Sequence, residues 1–148
     1  MKIIFKIFLF IGLVISLGSC EKKPEDYTKE INKAIEKGEY NKAYSLVDEM
    51  KTKYKYDDPD SFFLPDWQKA AYDESLKIEE KIIKNELGEA IETSEGNQNL
   101  AKIVFIIEER GGNSADYYTY AVKLARMSGN EELADDILNA KESTVTGD

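Results

Sequence analysis

The sequence predicts an all-α body of about six helices, arranged as three antiparallel hairpins behind a cleaved N-terminal signal peptide. Three observations predict it. Only three prolines occur, Pro24, Pro59 and Pro65, and between and beyond them apolar residues recur at helical spacing. No Asn-Gly or Asp-Gly pair offers a turn between strands. A short pattern, glycine then four residues then alanine, occurs three times: Gly38 to Ala43, Gly96 to Ala101 and Gly129 to Ala134.

The physics of that pattern is a helix-turn-helix corner. A glycine in the left-handed conformation ends one helix. Asn97 and Asn130 follow two of the three glycines and are suited to cap the next helix. The alanine allows close approach of the second helix to the first. Two apolar residues come one turn later, Leu46 and Val47, Val104 and Phe105, Ile137 and Leu138, and fill the groove between them.

Taken in order, the first helix is expected over about 25–37, with Ile31, Ala34 and Ile35 inward, and the second over 39–53, with Tyr40, Ala43, Leu46, Val47 and Met50 inward. Residues 54–65 read as a loop, whose Phe62, Phe63 and Leu64 are expected to fold back under the first hairpin. Its Asp57, Asp58 and Asp60 lack the spacing and late glutamate of a calcium loop. The third helix is long, 66–94, capped by Asp66, with a buried stripe of Trp67, Ala70, Ala71, Ile78, Ile82 and Leu87. A bend or break is expected near 85–88, and Glu79, Glu80, Lys81, Lys84 and Glu86 form a solvated charged face. The fourth helix, 97–110, contains Ile103-Val-Phe-Ile-Ile107; that run has strand-like composition, but it aligns with the other second helices and is read as the helical centre of the core. The fifth and sixth helices are expected over 115–128 and 130–142, followed by a polar, frayed tail at 143–148.

The corners, above all Gly38-Glu-Tyr40-Asn-Lys-Ala43, resemble the turn and second-helix start of the tetratricopeptide repeat. Gly96 and Gly129 are 33 residues apart, against about 34 for that repeat. Gly38 and Gly96 are 58 apart, and the large first-helix residues and closing proline of the family are mostly missing. The resemblance therefore implies an irregular tetratricopeptide-like array, covering about two-thirds of the processed chain, and not a regular superhelix.

The N-terminus carries a separate message. Lys2 and Lys6 precede an uncharged run of 11 residues from Ile7 to Leu17. That suits the apolar core of a signal peptide, and is shorter than the roughly 20 residues of a membrane-spanning helix. The run ends in Leu17-Gly18-Ser19-Cys20, with the only cysteine of the chain. This resembles the bacterial lipobox. The resemblance implies cleavage before Cys20, a diacylglyceryl group on its sulfur and often a further acyl chain, such as palmitate, on the new amino group. Two or three chains anchor stably where one does not. Glu21 in place of aspartate matches lipoproteins released to an outer membrane, and Lys22-Lys23 only half matches the surface-export pattern of that family. The expected organisation is a signal peptide at 1–19, a polar tether at 20–26, a helical-hairpin domain at 27–142 and a flexible tail at 143–148.

Composition narrows function. The net charge is −9, and losing Lys2 and Lys6 with the leader makes the remainder more acidic. Such a body is repelled by phosphate backbones, so no nucleic-acid partner is expected, and membrane contact is expected from the lipid alone. Histidine is absent, removing the commonest general base and metal ligand. No cofactor, metal site or catalytic residue is expected, and no enzyme. Tyrosine dominates the aromatics, and tyrosine suits surfaces that are both apolar and hydrogen-bonding. The candidate binding residues are Tyr54, Tyr56 and Trp67, and Tyr117, Tyr118 and Tyr120, beside Cys20 for lipidation. These features predict a lipid-anchored envelope module that binds another envelope protein or peptide. A small acidic immunity or inhibitor lipoprotein is the alternative, and a glycan binder or carboxylate enzyme the weakest reading.

Overall fold

The computed structural model describes residues 22–55, 65–95, 98–112 and 114–146. Cys20, Tyr56, the loop residues from Asp57 to Leu64, Gly96 and Asn97 lie outside the described residues. Those described form six helices and no strand. They are α1 (Pro24–Glu36), α2 (Tyr40–Tyr54), α3 (Asp66–Glu92), α4 (Leu100–Phe105), α5 (Ala115–Met127) and α6 (Glu131–Thr146). The chain beyond α4 continues as a π-helical turn over Ile106–Arg110, closed by Gly111 N–H donating to the Ile106 carbonyl at 3.0 Å. No helix among them is long and apolar enough to cross a membrane. The all-α expectation holds, and the isoleucine-rich run is helical.

Two of the three corners form as their residues dictate. Gly38 has φ 68° and Gly129 φ 79°. The following N–H groups reach back, Glu39 to the Ala34 carbonyl and Asn130 to that of Ala125, both at 2.9 Å. This closes the helix ends with the left-handed glycine cap. Asn130 then caps α6, its Oδ1 accepting from Leu133 N at 3.1 Å.

The middle corner is slipped. Helix α4 starts four residues after Gly96, not two, with Asn99 at its N-cap. Counted from the N-cap, buried residues coincide in all three second helices: Ala43 and Leu46, Ala134 and Ile137, Ile103 and Ile106. Ala101 is exposed, and Ile103 occupies the alanine's place. Phe105, expected in the groove, is therefore 51% exposed, because Ile106 and Ile107 take the inward phase. Asn99 turns its amide back onto α3, donating to the Ala90 carbonyl at 3.0 Å.

Helix α3 is the common wall of the fold. Its first half packs Ala71, Ile78 and Ile82 on α1 and α2, with Ile31, Val47 and Met50. Its second half packs Ile83, Leu87, Ala90 and Ile91 on α4 to α6, with Ile103, Ile107, Tyr118, Leu133 and Ile137. Tyr44 packs against both clusters. The helix does not break near Gly88; it is continuous through it.

Other expectations at the edges are corrected. Pro65 is the N-cap of α3 and Asp66 its first residue. Trp67 is 60% exposed, because α2 ends at Tyr54 and only the edge of that ring meets the indole. Ala70, one step off the phase set by Ala71 and Ser75, is also exposed. Glu86 is buried, since it follows Ile82 by four residues and lies on the apolar side. Helix α6 continues through Ser143 to Thr146, with the Ser143 hydroxyl donating to the Asn139 carbonyl. Residues 24–26, expected in the tether, already form the first turn of α1: Pro24 stands at N1, and Asp26 Oδ2 accepts from Lys23 N at 3.2 Å.

Candidate functional site

The structure divides the expected aromatic residues into two surfaces on α3. The first is a groove of about 1340 Å³ beside α1 and the start of α3. Tyr54, the last residue of α2, forms its floor. The ring is 4% exposed, wedged between Tyr27 at 6.4 Å and Trp67 at 6.0 Å, both edge-on. Such pairs contribute about 0.5–1.5 kcal/mol beyond their buried area. Trp67 is the open part of this cluster.

The groove is also where lysine collects. Lys22, Lys23, Lys29, Lys33 and Lys53 line it, against Glu25, Glu36 and Glu74. The sequence reading missed this local excess of positive charge on an acidic protein. The signal was available: Lys29 and Lys33 share one face of α1, and Lys22 precedes it. Lys22 is held from several sides. Its carbonyl accepts from Lys53 Nζ at 2.6 Å and from the Tyr54 hydroxyl at 3.1 Å. Its ammonium pairs with Glu30 at 2.7 Å and lies 4.5 Å above the Tyr27 ring. The chain is thus fixed to the body from Lys22 onward.

The second surface is a depression of about 540 Å³ lined by Tyr117 and Tyr120 of α5 with Glu80 and Lys84 of α3 and the exposed Lys123. Tyr117 and Tyr120 are one helical turn apart and half-buried. Lys84, paired with Glu80 at 2.5 Å, lies 5.6 Å over the Tyr120 ring. The Tyr117 ring rests on Gly111: a Cβ there would stand 2.6 Å from the ring and 2.8 Å from the Ile107 carbonyl oxygen. Burial raises the Tyr117 hydroxyl above its ordinary pKa. Tyr118 points the other way. It is 1% exposed, a core residue, and donates to Glu108 Oε1 at 3.3 Å. It does not belong to the surface the sequence assigned it to.

A buried polar clasp joins three elements. Arg110, from the π-helical turn, places its guanidinium carbon 4.1 Å over the Tyr44 ring of α2. Its Nη2 donates to Asn41 Oδ1 at 2.6 Å, and its Nε stands 3.7 Å from Glu86 Oε2 of α3. Burial first, and the Glu86 charge second, push the Tyr44 hydroxyl far above its ordinary pKa. Near it, the Tyr40 hydroxyl donates to Glu89 Oε2 at 2.8 Å; burial and that bond raise it too. The clasp locks these elements together, but the Tyr44 hydroxyl, Glu86 Oε2 and Arg110 Nε are buried without a hydrogen bond, and the last two meet only as an ion pair.

Among the described residues no group of three or more histidine, cysteine, aspartate or glutamate side chains is placed to hold a metal ion. No family model, curated protein or solved structure matches the chain.

Proposed function

We propose that this protein is a lipid-anchored module of the cell envelope, tethered at Cys20, that binds another envelope protein or peptide and carries out no chemistry of its own. The lipobox-like Leu17-Gly18-Ser19-Cys20 supports the tether, and Glu21 after it supports an outer-membrane destination. The corners support the kinship with tetratricopeptide-like arrays, whose helical faces serve recognition.

One observation carries the binding role: the two aromatic surfaces lie far apart on α3. Trp67 and Lys84 are 17 residues apart on one unbroken helix, about 25 Å at the helical rise. The Trp67 groove adjoins Lys22 and hence the tether. The Tyr117–Tyr120 depression belongs to the other half of the fold, where a partner would be met. Its tyrosines are fixed by packing, so they lose little freedom on binding, and each offers a hydroxyl at the edge of an apolar ring.

A photo-crosslinking residue in place of Lys123, which is exposed in the depression, tests this in cells. The expected result is one discrete adduct with an exported protein, lost when Tyr120→Ala is added. The same residue at Lys77, exposed on α3, gives none. Equal, diffuse adducts from both positions would remove the depression from consideration.

A further inference from the structure

The Trp67 groove has a different occupant. We infer that it lies against the membrane that holds the protein's own lipid, with its lysines among anionic headgroups and Trp67 in the interfacial layer. The inference rests on lipidation of Cys20.

Covalent reach is the first argument. Lys22 is two residues from Cys20, at most about 7 Å along the chain. The headgroup layer on each side of a bilayer is of similar depth, roughly 5–8 Å. A residue joined that closely to the lipid glycerol is in or on the headgroups. Lys22 is no loose spacer, because its carbonyl is bound by Lys53 and Tyr54 and its ammonium by Glu30. The tether therefore sets the position of the body. The surface that continues from Lys22 is the groove.

Charge and side-chain type agree. The groove lining carries five lysines against three glutamates, on a chain whose net charge is −9. Lys23, Lys29 and Lys33 are exposed. Glu30, which pairs with Lys22, brings the acids beside the groove to four against its five lysines, so the local balance is slightly positive on an acidic chain; carboxylates farther than about 8 Å are screened at physiological ionic strength. The inference departs from the expectation that membrane contact comes from the lipid alone. Trp67 is 60% exposed and one ring away from Tyr54, whose hydroxyl touches Lys22. Tryptophan is the side chain that settles at membrane–water interfaces.

The test uses a convenience of the sequence: Trp67 is the only tryptophan. The native protein is purified from membranes, its intact mass is measured, and it is reconstituted into vesicles of phosphatidylcholine with or without phosphatidylglycerol. The acyl chains are either plain or brominated near the headgroup. In the anionic vesicles, bromination is expected to lower Trp67 emission, as for a side chain buried about 5–10 Å into the headgroup and acyl boundary. The quench weakens in neutral vesicles, and in a Lys29→Glu, Lys33→Glu variant whose circular dichroism is unchanged. A lipid-bearing protein whose emission is indifferent to bromination and open to aqueous acrylamide would overturn the inference while leaving the tether intact. Shielding of Trp67 only on adding an acidic peptide would also overturn it. A native protein without lipid mass would remove the tether and this orientation together, and the mass distinguishes that failure from the others.

Discussion

Arg110→Ala lowers the unfolding free energy by about 3 kcal/mol, read as a shift of the urea midpoint followed by circular dichroism. The Glu86 side chain is 9% exposed and the Arg110 side chain 20%. Attraction between such groups is largely offset by what it costs to take them out of water. Breaking the pair from one side is different, because the remaining carboxylate stays buried without its counter-charge. The substitution also removes the guanidinium from the Tyr44 ring and from Asn41. If the stranded charge is the main cost, Glu86→Leu added to Arg110→Ala recovers most of the loss. If Arg110→Ala changes stability by less than about 0.5 kcal/mol, as ordinary surface positions do, the clasp is a solvated contact and this account of it is wrong.

Leu87→Ala is expected to cost about 2–5 kcal/mol, the range for a fully buried leucine whose site collapses only partly. Leu87 is 0% exposed, in the half of α3 that packs on α4 to α6. Leu76, on the same helix, is 42% exposed, and Leu76→Ala is expected to change stability by no more than about 0.5 kcal/mol. The contrast tests whether α3 is the wall shared by both halves. Equal small losses at the two positions would mean that the second half folds without it.

The sequence made the helices legible because proline and glycine stand at their ends. Pro24 and Pro65 begin α1 and α3, and Gly38 and Gly129 end α1 and α5. The middle corner departs from its expected register because the glycine-to-alanine spacing is a proxy. What the fold repeats is the distance from the N-cap to the inward residues, and Asn99, not the residue after Gly96, is that cap. Charge alone puts Glu86 outside, but helical phase puts it inside, since Ile82, Glu86 and Ala90 follow one another at four-residue steps. Arg110 was the other available signal, since it and Arg126 are the only arginines among 20 basic residues. Trp67 was placed inside by size and phase, and phase does not reveal that α2 stops at Tyr54. Helical spacing puts Tyr117 and Tyr120 on one side of α5 and Tyr118 on another, a division that grouping the three together overlooks.

The lysine groove was not legible, because it needs the third dimension: Lys53 ends up beside Lys22, 31 residues away, only once α2 has turned back along α1. In the proposed orientation that contact brings the body up to the membrane, and it matters only if Cys20 carries lipid.

The first measurement is therefore the intact mass and membrane partition of the native protein beside a Cys20→Ser variant. The account predicts a native chain beginning at Cys20, heavier than residues 20–148 by a lipid group, and released from membranes only by detergent. The variant carries no lipid mass and loses the detergent-dependent partition. A native protein that is soluble and free of added mass would contradict the tether and the membrane-facing groove, leaving a six-helix body with a tyrosine-lined depression.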